Sequence, residues 1–454
     1  MVRLNGAHDR GKSDHGAMTP VAGRFEPVIN AFLGGEPPIA FRFWDGSSLG
    51  PSQGTAIVLK SPRALTRLVY APGELGFARA YVSDDLDIEG DIFEVLALRD
   101  MLETRTKDTD LRLNSRAIFR LLRAARGLGA LTAPPPAPSE EIRLGGKLHS
   151  KNRDAQAISH HYDVGNDFYR LVLGETMTYS CAFFERAGMA LDEAQAAKYD
   201  LVCKKLGLEP GMRLLDVGCG WGGMVLHAVR NYGVSAVGIT LSREQADFAA
   251  RRVAESGVGH LVDIRYQDYR DVSDGPFDAI SSIGMFEHVG LARLAEYFGV
   301  LEGLLAPRGR LLNHAISKRS GQPGFDPRSF VSRYVFPDGE LQEVGGVVTA
   351  MQKFGLEARD VESLREHYAQ TLRAWVRNLE DNWSEAVGLA GLGRAKVWRL
   401  YMAGSALSFE ASRINVHQVL GVKPDGRGTS GMPSTRSSWM EPYRAGKRLQ
   451  ASDR

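Results

Sequence analysis

Leu214-Leu215-Asp216-Val217-Gly218-Cys219-Gly220-Trp221-Gly222-Gly223 runs from two aliphatic residues into an acid and then into glycines at alternate positions. Such a run reads as a buried parallel strand that turns abruptly into a helix. Glycines let the backbone approach a ligand closely, and the following helix offers unpaired N–H groups to polar atoms at its start. A nucleotide site is therefore expected here. Its spacing alone is ambiguous, because Gly218, Gly220 and Gly223 also satisfy the G-x-G-x-x-G dinucleotide fingerprint.

The next two strands separate the alternatives. A dinucleotide site expects an acid about 20 residues on, bound to the ribose hydroxyls. Here the second strand, Ala236-Val237-Gly238-Ile239, ends in Thr240-Leu241-Ser242, and the third, Val262-Asp263-Ile264-Arg265-Tyr266, ends in Gln267-Asp268-Tyr269. An acid after the third strand suits the exocyclic amine of an adenine, which favours S-adenosylmethionine over NAD or FAD.

At 454 residues the chain exceeds the usual size of one domain, so two folded units with a linker are expected. A hydrophobic fraction of 43% is ample for real cores, and a net charge of +2 points to no nucleic-acid partner. Cys181, Cys203 and Cys219 fit no zinc or disulfide framework, which implies a reducing compartment and no metal. Neither a secretory signal nor an apolar run of membrane-spanning length is seen. The expectation is a cytoplasmic protein whose contact with the inner face of the membrane is peripheral.

Taken in order, residues 1–24 are expected to be disordered and 25–131 to form a small α+β domain. Alternation in Ile39-Ala40-Phe41-Arg42-Phe43-Trp44 and the run Ala56-Ile57-Val58-Leu59 indicate strands, with a turn at Asp45-Gly46. Helices follow around residues 62–68 and 92–98. Arg112, Arg116, Arg120, Arg123 and Arg126 recur at helical intervals opposite Leu111, Ile118, Leu122 and Ala125. This basic amphipathic helix reads equally as a solvated face or as a helix lying on anionic lipid, where each cation contributes about 1 kcal/mol. Prolines make 132–140 an extended linker, after which Lys147, His149, Lys151 and Arg153 form another basic patch.

Residues 141–423 are expected to form the second domain, which alternates strands and helices from about Lys198 to Lys423, with strands expected at 213–217, 235–239, 262–266, 277–283, 309–316, 357–363 and 414–422. The fold class is therefore α/β, a seven-stranded Rossmann-like class I methyltransferase domain preceded by the small α+β domain. Residues 424–454 read as a flexible tail.

Three stretches together resemble the cyclopropane fatty acid synthase family: His160-His161-Tyr162-Asp163-Val164-Gly165-Asn166-Asp167-Phe168-Tyr169 with Met177-Thr178-Tyr179-Ser180-Cys181-Ala182, then Val217-Gly218-Cys219-Gly220-Trp221-Gly222, and Ser282-Ile283-Gly284-Met285-Phe286-Glu287-His288-Val289-Gly290. The resemblance spans roughly residues 155–423. It implies that S-adenosylmethionine lies against Tyr179, Ser180, Gly218, Gly220, Gly222, Thr240, Leu241, Ser242, Gln245, Gln267 and Asp268. It further implies a bicarbonate ion, serving as base, held by Cys181, Glu287, His314, the backbone of Ile316, and Tyr368. The implied partners are unsaturated phospholipid acyl chains at an anionic membrane surface, with a homodimer allowed. Ser405 stands where many members carry a cysteine and is not expected to be a nucleophile.

The chemistry explains why these residue types are needed. An isolated alkene is a poor nucleophile, so methyl transfer from a sulfonium demands close positioning and leaves a carbocation. The site must exclude water, stabilise positive charge and remove one proton. Each residue also has a plainer role: Glu287 as a helix cap, His314 as a core histidine, and Tyr368 as a ring anchoring its helix. Cys181 has no adjacent base and reads as a polar wall; Cys203 reads as packing and Cys219 as a small turn residue. His160 and His161 lack further ligands at metal spacing and read as loop-positioning.

Overall fold

The computed structural model describes residues 19–99, 126, 133–142, 153, 164–324 and 326–440. Apart from Arg126, the arginine-rich stretch 111–126 lies outside the described residues, as do residues 1–18 and 441–454, Lys147, His149, Lys151, His160 and His161. The chain forms two compact units. One takes residues up to Tyr70 and Asp84–Pro135; the other takes Ala71–Ser83 and residues from Pro136 onward.

In the first unit, β1 (Ala40–Arg42) and β2 (Ser48–Leu49) pair antiparallel around Asp45-Gly46. β3 (Ala56–Leu59) joins β1 in parallel, and β4 (Leu86–Glu89) runs antiparallel to β3. The helix Val21–Leu33 begins within the stretch expected to lack structure. Its first N–H groups find acceptors on the hairpin turn: Val21 donates to Asp45 Oδ2 at 2.8 Å and Ala22 to Ser47 Oγ at 2.9 Å.

The helix Glu74–Val82 falls inside 25–131 in sequence yet packs within the second unit. Tyr81, fully buried, accepts a hydrogen bond from Arg399 at 3.2 Å, and both arms of the Arg79 fork reach Glu141 at 2.8 Å. Side-chain pairing so distant in sequence leaves no periodic signal.

The large sheet of the second unit contains β5 (Arg213–Val217), β6 (Ser235–Thr240), β7 (Val262–Tyr266), β8 (Phe277–Ile283), β9 (Leu305–Lys318), β10 (Gln342–Glu343), β11 (Glu357–Ser363) and β12 (Ile414–Val422). Their order is β7-β6-β5-β8-β9-β12-β11, with β10 paired only to the end of β9. The run from β7 to β9 is parallel, and β12 is antiparallel to both neighbours.

Period-2 alternation explains how the sheet is covered. Leu215 and Val217 enter a core with Tyr297, Phe298 and Leu301 of the helix Leu294–Leu304 and with Met351. Their neighbour Leu214 enters the opposite core, with Val202 and Leu206 of the helix Leu191–Leu206 and Val225 of the helix Gly223–Tyr232. From β5 the chain builds outward through β6 to β7, then returns to β8 on the other side. Ligand crevices form at such a reversal, outside the strands' carboxyl ends.

Residues 424–440 differ from the flexible tail expected of them. Met432 and Trp439 pack on the second core, and the guanidinium of Arg436 approaches Asp360 at 3.3 Å and Glu362 at 3.2 Å. Those two acids also hold the ammonium of Lys205, which has no exposed surface, at 2.8 and 2.6 Å. Removing one member of a buried pair strands the other. Lys205→Ala is expected to cost about 3 kcal/mol in chemical denaturation, and a loss below about 0.5 kcal/mol would contradict this account of the cluster.

Candidate active site

The glycine turn is tied down by β6, since the N–H groups of Gly218 and Cys219 both donate to the Ile239 carbonyl at 2.9 Å. Gly218 has a φ of 81°, and a Cβ there would lie 3.0 Å from Met285 Cβ, so both conformation and space require glycine. A cleft opens above the turn. It is lined by Tyr179, Ser180, Gly218, Gly220, Thr240, Leu241, Gln245, Gln267 and Asp268.

Gly222 and Ser242 are not part of that lining. Gly222 packs against Ala249, where a Cβ would come within 3.2 Å. Ser242 caps the helix Arg243–Glu255, accepting from the Gln245 N–H at 3.2 Å, and Thr240 Oγ1 donates to the Gln245 side-chain oxygen at 2.9 Å. Together these bonds orient Gln245 at the cleft wall. Asp268 is gripped by Arg270, at 2.8 Å to one carboxylate oxygen and 2.6 Å to the other. The sequence reading did not anticipate that arginine.

Among the cleft residues to which the sequence reading gave no site role are Lys198 and Asp216. Lys198 donates to Ser180 Oγ at 2.9 Å, and Asp216 accepts from Ser281 Oγ at 2.6 Å. Around the turn stands an aromatic wall. Trp221 donates from its indole to Asn166 Oδ1 at 2.7 Å and lies 4.9 Å from the Tyr169 ring. Tyr169 and Tyr179 both pack on Trp398, at 5.3 and 5.6 Å, and Tyr179 stacks on Trp375 at 5.3 Å.

Cys181, Glu287, His314, Ile316 and Tyr368 lie outside the cleft lining, but their neighbours Ser180, Met285 and His288 are in it. Glu287 sits in the short turn after β8, and its Oε1 accepts from the Ile316 N–H at 2.6 Å. That N–H is thus engaged by Glu287. His314 precedes Ile316 by two residues on β9, so the two share a face of the strand. Gln418 lies opposite His314 on β12, with its amide nitrogen 3.2 Å from His314 Nδ1. With that amide donating, the imidazole carries its proton on Nε2.

Glu287 Oε2 and His314 Nε2 are buried with no hydrogen-bond partner among the described residues. Burial pushes the Glu287 carboxyl up to about 7, against the pull of the Ile316 N–H. Burial, with Lys198 and Lys205 adding repulsion, holds His314 well below the ordinary histidine range, hence neutral.

Cys181 is fully buried, its thiol pushed up by burial, 3.2 Å from the Ala182 carbonyl and 3.6 Å from that of Leu364. Leu364 leads into the helix Arg365–Asp381, where Tyr368 donates its N–H back to the Leu364 carbonyl at 3.0 Å. The Leu364 N–H in turn donates to the carbonyl of Val416, the β12 partner of Ile316. A chain of contacts through the backbone of Leu364, Val416 and Ile316 therefore joins the Cys181 and Glu287 side chains with the start of the Tyr368 helix. Ser405 bonds to the Tyr401 hydroxyl.

A sheet of this order with a ligand cleft at the switch point defines the class I methyltransferase fold. Residues 149–419 match the model of the mycolic acid cyclopropane synthetase family. The chain is 45% identical, over 90% of its length and 96% of the relative's, to a probable fatty acid methyltransferase of Mycobacterium tuberculosis. It is 37% identical to the cyclopropane-fatty-acyl-phospholipid synthase of Escherichia coli, over 62% of this chain and 72% of that one. A mycolic acid cyclopropane synthase solved with SAH and CTAB superposes with a TM-score of 0.56 at 37% identity, covering 59% of this chain and 98% of its own. The chain belongs to the mycolic acid cyclopropane synthetase family of S-adenosylmethionine-dependent methyltransferases.

The raised proton affinity of Glu287 has a consequence for stability. Below its ordinary value of 4.5 both folded and unfolded chains are protonated there, and the contribution is complete; it is lost as pH rises through about 7. Wild type should therefore lose stability relative to Glu287→Gln across that window, by up to about 1.4 kcal/mol per pH unit in chemical denaturation. A difference independent of pH would contradict the assignment.

Proposed function

We propose that this enzyme transfers a methylene from S-adenosylmethionine to the cis double bond of an unsaturated phospholipid acyl chain, forming a cyclopropane. The observation that carries this reading is the pair of orphaned buried atoms, Glu287 Oε2 and His314 Nε2, held next to the donor cleft. A neutral imidazole N–H and a carboxyl raised to about 7 fit a small oxyanion that both donates and accepts. When bound there, bicarbonate supplies a general base. Glu287 and His314 would hold it, Cys181 and Tyr368 would wall the pocket, and Ile316 would act through Glu287.

In the first step the alkene's π pair bonds the methyl carbon while the sulfur–carbon pair returns to sulfur, releasing S-adenosylhomocysteine. The neighbouring carbon becomes a cation, and loss of a proton from the new methyl closes the ring. Tyr179 lines the cleft with Trp375 and Trp398 packed against it, an aromatic wall that excludes water and favours positive charge. The buried, protonated Cys181 thiol fits a wall, since this chemistry needs no covalent intermediate. Acyl chains would be met by peripheral contact with an anionic membrane on its cytoplasmic face, by a monomer or a homodimer.

A second reading keeps the cation but moves a hydride before proton loss, yielding a methylene-branched chain or, after reduction, a methyl branch. It is favoured by two relatives named probable fatty acid methyltransferases, at 45% and 41% identity. A non-catalytic lipid-binding module is the third reading. The cluster of neutral polar atoms sealed beside the cleft speaks against it.

Incubation with methyl-deuterated donor and unsaturated phospholipid separates the three by lipid mass spectrometry. A product that keeps two deuteriums and resists ozonolysis supports the cyclopropane; an ozonolysis-sensitive terminal methylene supports the second reading. Absence of S-adenosylhomocysteine with every unsaturated phospholipid would sink both. Glu287→Gln should retain donor binding while turnover falls by about a hundredfold or more, and full activity in that variant would overturn the pocket.

A further inference from the structure

Glu287 stands on a turn too short to hold itself. β8 ends at Ile283, and Phe286–His288 make a single helical turn, closed by the His288 N–H on the Met285 carbonyl at 3.0 Å and the Val289 N–H on that of Phe286 at 3.1 Å. One turn fixes several dihedral angles for few bonds and is unstable alone. Gly290, at a φ of 75°, then reverses the chain, and Leu291 opens the next short turn with an N–H that has no acceptor inside it.

One residue from far along the chain meets both loose ends. The Glu340 N–H donates to the carbonyl of Glu287 itself at 3.0 Å, and Glu340 Oε2 accepts from the Leu291 N–H at 2.7 Å. Leu291 is 60% exposed, so core packing of its side chain does not hold this end of the turn.

Glu340 is itself anchored. Two residues before it, Asp338 takes both arms of the Arg153 fork at 2.7 Å, and both partners are largely out of water. Two residues earlier still, the Phe336 ring packs on His288 at 5.7 Å and on Tyr401 at 5.8 Å. Residues 336–340 therefore lie against the turn and are pinned along their length. On its inner side the turn has one position to keep. Glu287 Oε1 accepts from the Ile316 N–H at 2.6 Å, a bond that a shift of about 1 Å would break.

We propose that Glu340 is a positioning residue for the reaction: by holding the Leu291 N–H, its carboxylate braces the turn so that the Glu287 carboxyl stays on the Ile316 N–H. This rests on the reading that Glu287 serves the acid–base step. The brace acts through Glu287 alone and touches neither donor nor acyl chain.

Hydrogen exchange and turnover of the full chain carrying Glu340→Ala or Glu340→Gln test the brace. Glu340→Ala should speed exchange of the Leu291 and Ile316 amides about tenfold or more, the scale of a lost charge-assisted hydrogen bond. Gly218 and Cys219, on the donor side, should stay within about twofold of wild type. Turnover of an unsaturated phospholipid should fall about tenfold, while S-adenosylhomocysteine binds within about twofold of wild type. Glu340→Gln keeps an oxygen that accepts the Leu291 N–H, and should hold Ile316 exchange and turnover within about threefold of wild type. Unchanged Ile316 exchange in Glu340→Ala would overturn the brace, as would faster exchange with unchanged turnover. Equal acceleration at Gly218, the mark of general loosening, or a Glu340→Gln as impaired as Glu340→Ala, would overturn it too. Full turnover in Glu287→Gln would instead overturn the acid–base reading, and Ile316 exchange would still decide the brace.

Discussion

Taking water away from an ionisable group moves its proton affinity, and the strand ends of this sheet hold several such groups out of water at once. Glu287 and Asp216 are pushed up, Lys198 and His314 are drawn down, and the Cys181 thiol stays protonated. Desolvation is the first cause in every case. The same dryness is what a carbocation needs to outlive attack by water. Burial thus brings Glu287 and Lys198 to about 7 and Asp216 to about 6.

Geometry then divides the labour. β5 and its glycine turn, fastened to β6 through the Ile239 carbonyl, supply the floor of the donor cleft. The turn after β8 carries Glu287 and β9 carries His314, and the Ile316 N–H of β9 fixes the Glu287 carboxyl. Gln418 on the antiparallel strand β12 orients His314 from the far side. Helices far apart in sequence contribute Trp375 and Trp398, which close the aromatic wall on Tyr179. The turns that carry the glycines and Glu287 are therefore each fastened by backbone N–H groups to strands of one sheet.

Much of the fold was legible because parallel strands buried on both faces leave apolar runs bounded by turn residues. β5, β7, β8, β11 and β12 occupy the residues expected of them. β10 was not legible, since two residues carry no period. The packing of Glu74–Val82 and of residues 424–440 escaped notice for another reason: each rests on ion pairs and packed rings whose partners lie dozens to hundreds of residues away. The donor cleft was readable from motifs. Lys198 was not, because a lysine amid Ala-Lys-Tyr-Asp in a helix reads as solvent-facing until tertiary packing buries it. Likewise, only the folded chain shows that Oε2 of Glu287 and Nε2 of His314 lack partners among the described residues.

In the proposed reaction Glu287 Oε2 and His314 Nε2 hold a small oxyanion that completes the base. Turnover of an unsaturated phospholipid should fall when carbon dioxide and bicarbonate are stripped from the buffer at constant pH and ionic strength. It should return when bicarbonate, but not chloride, is restored. Turnover that is equal in stripped and bicarbonate-supplemented buffer would contradict the claim, and would leave the proton to Glu287 or His314 directly.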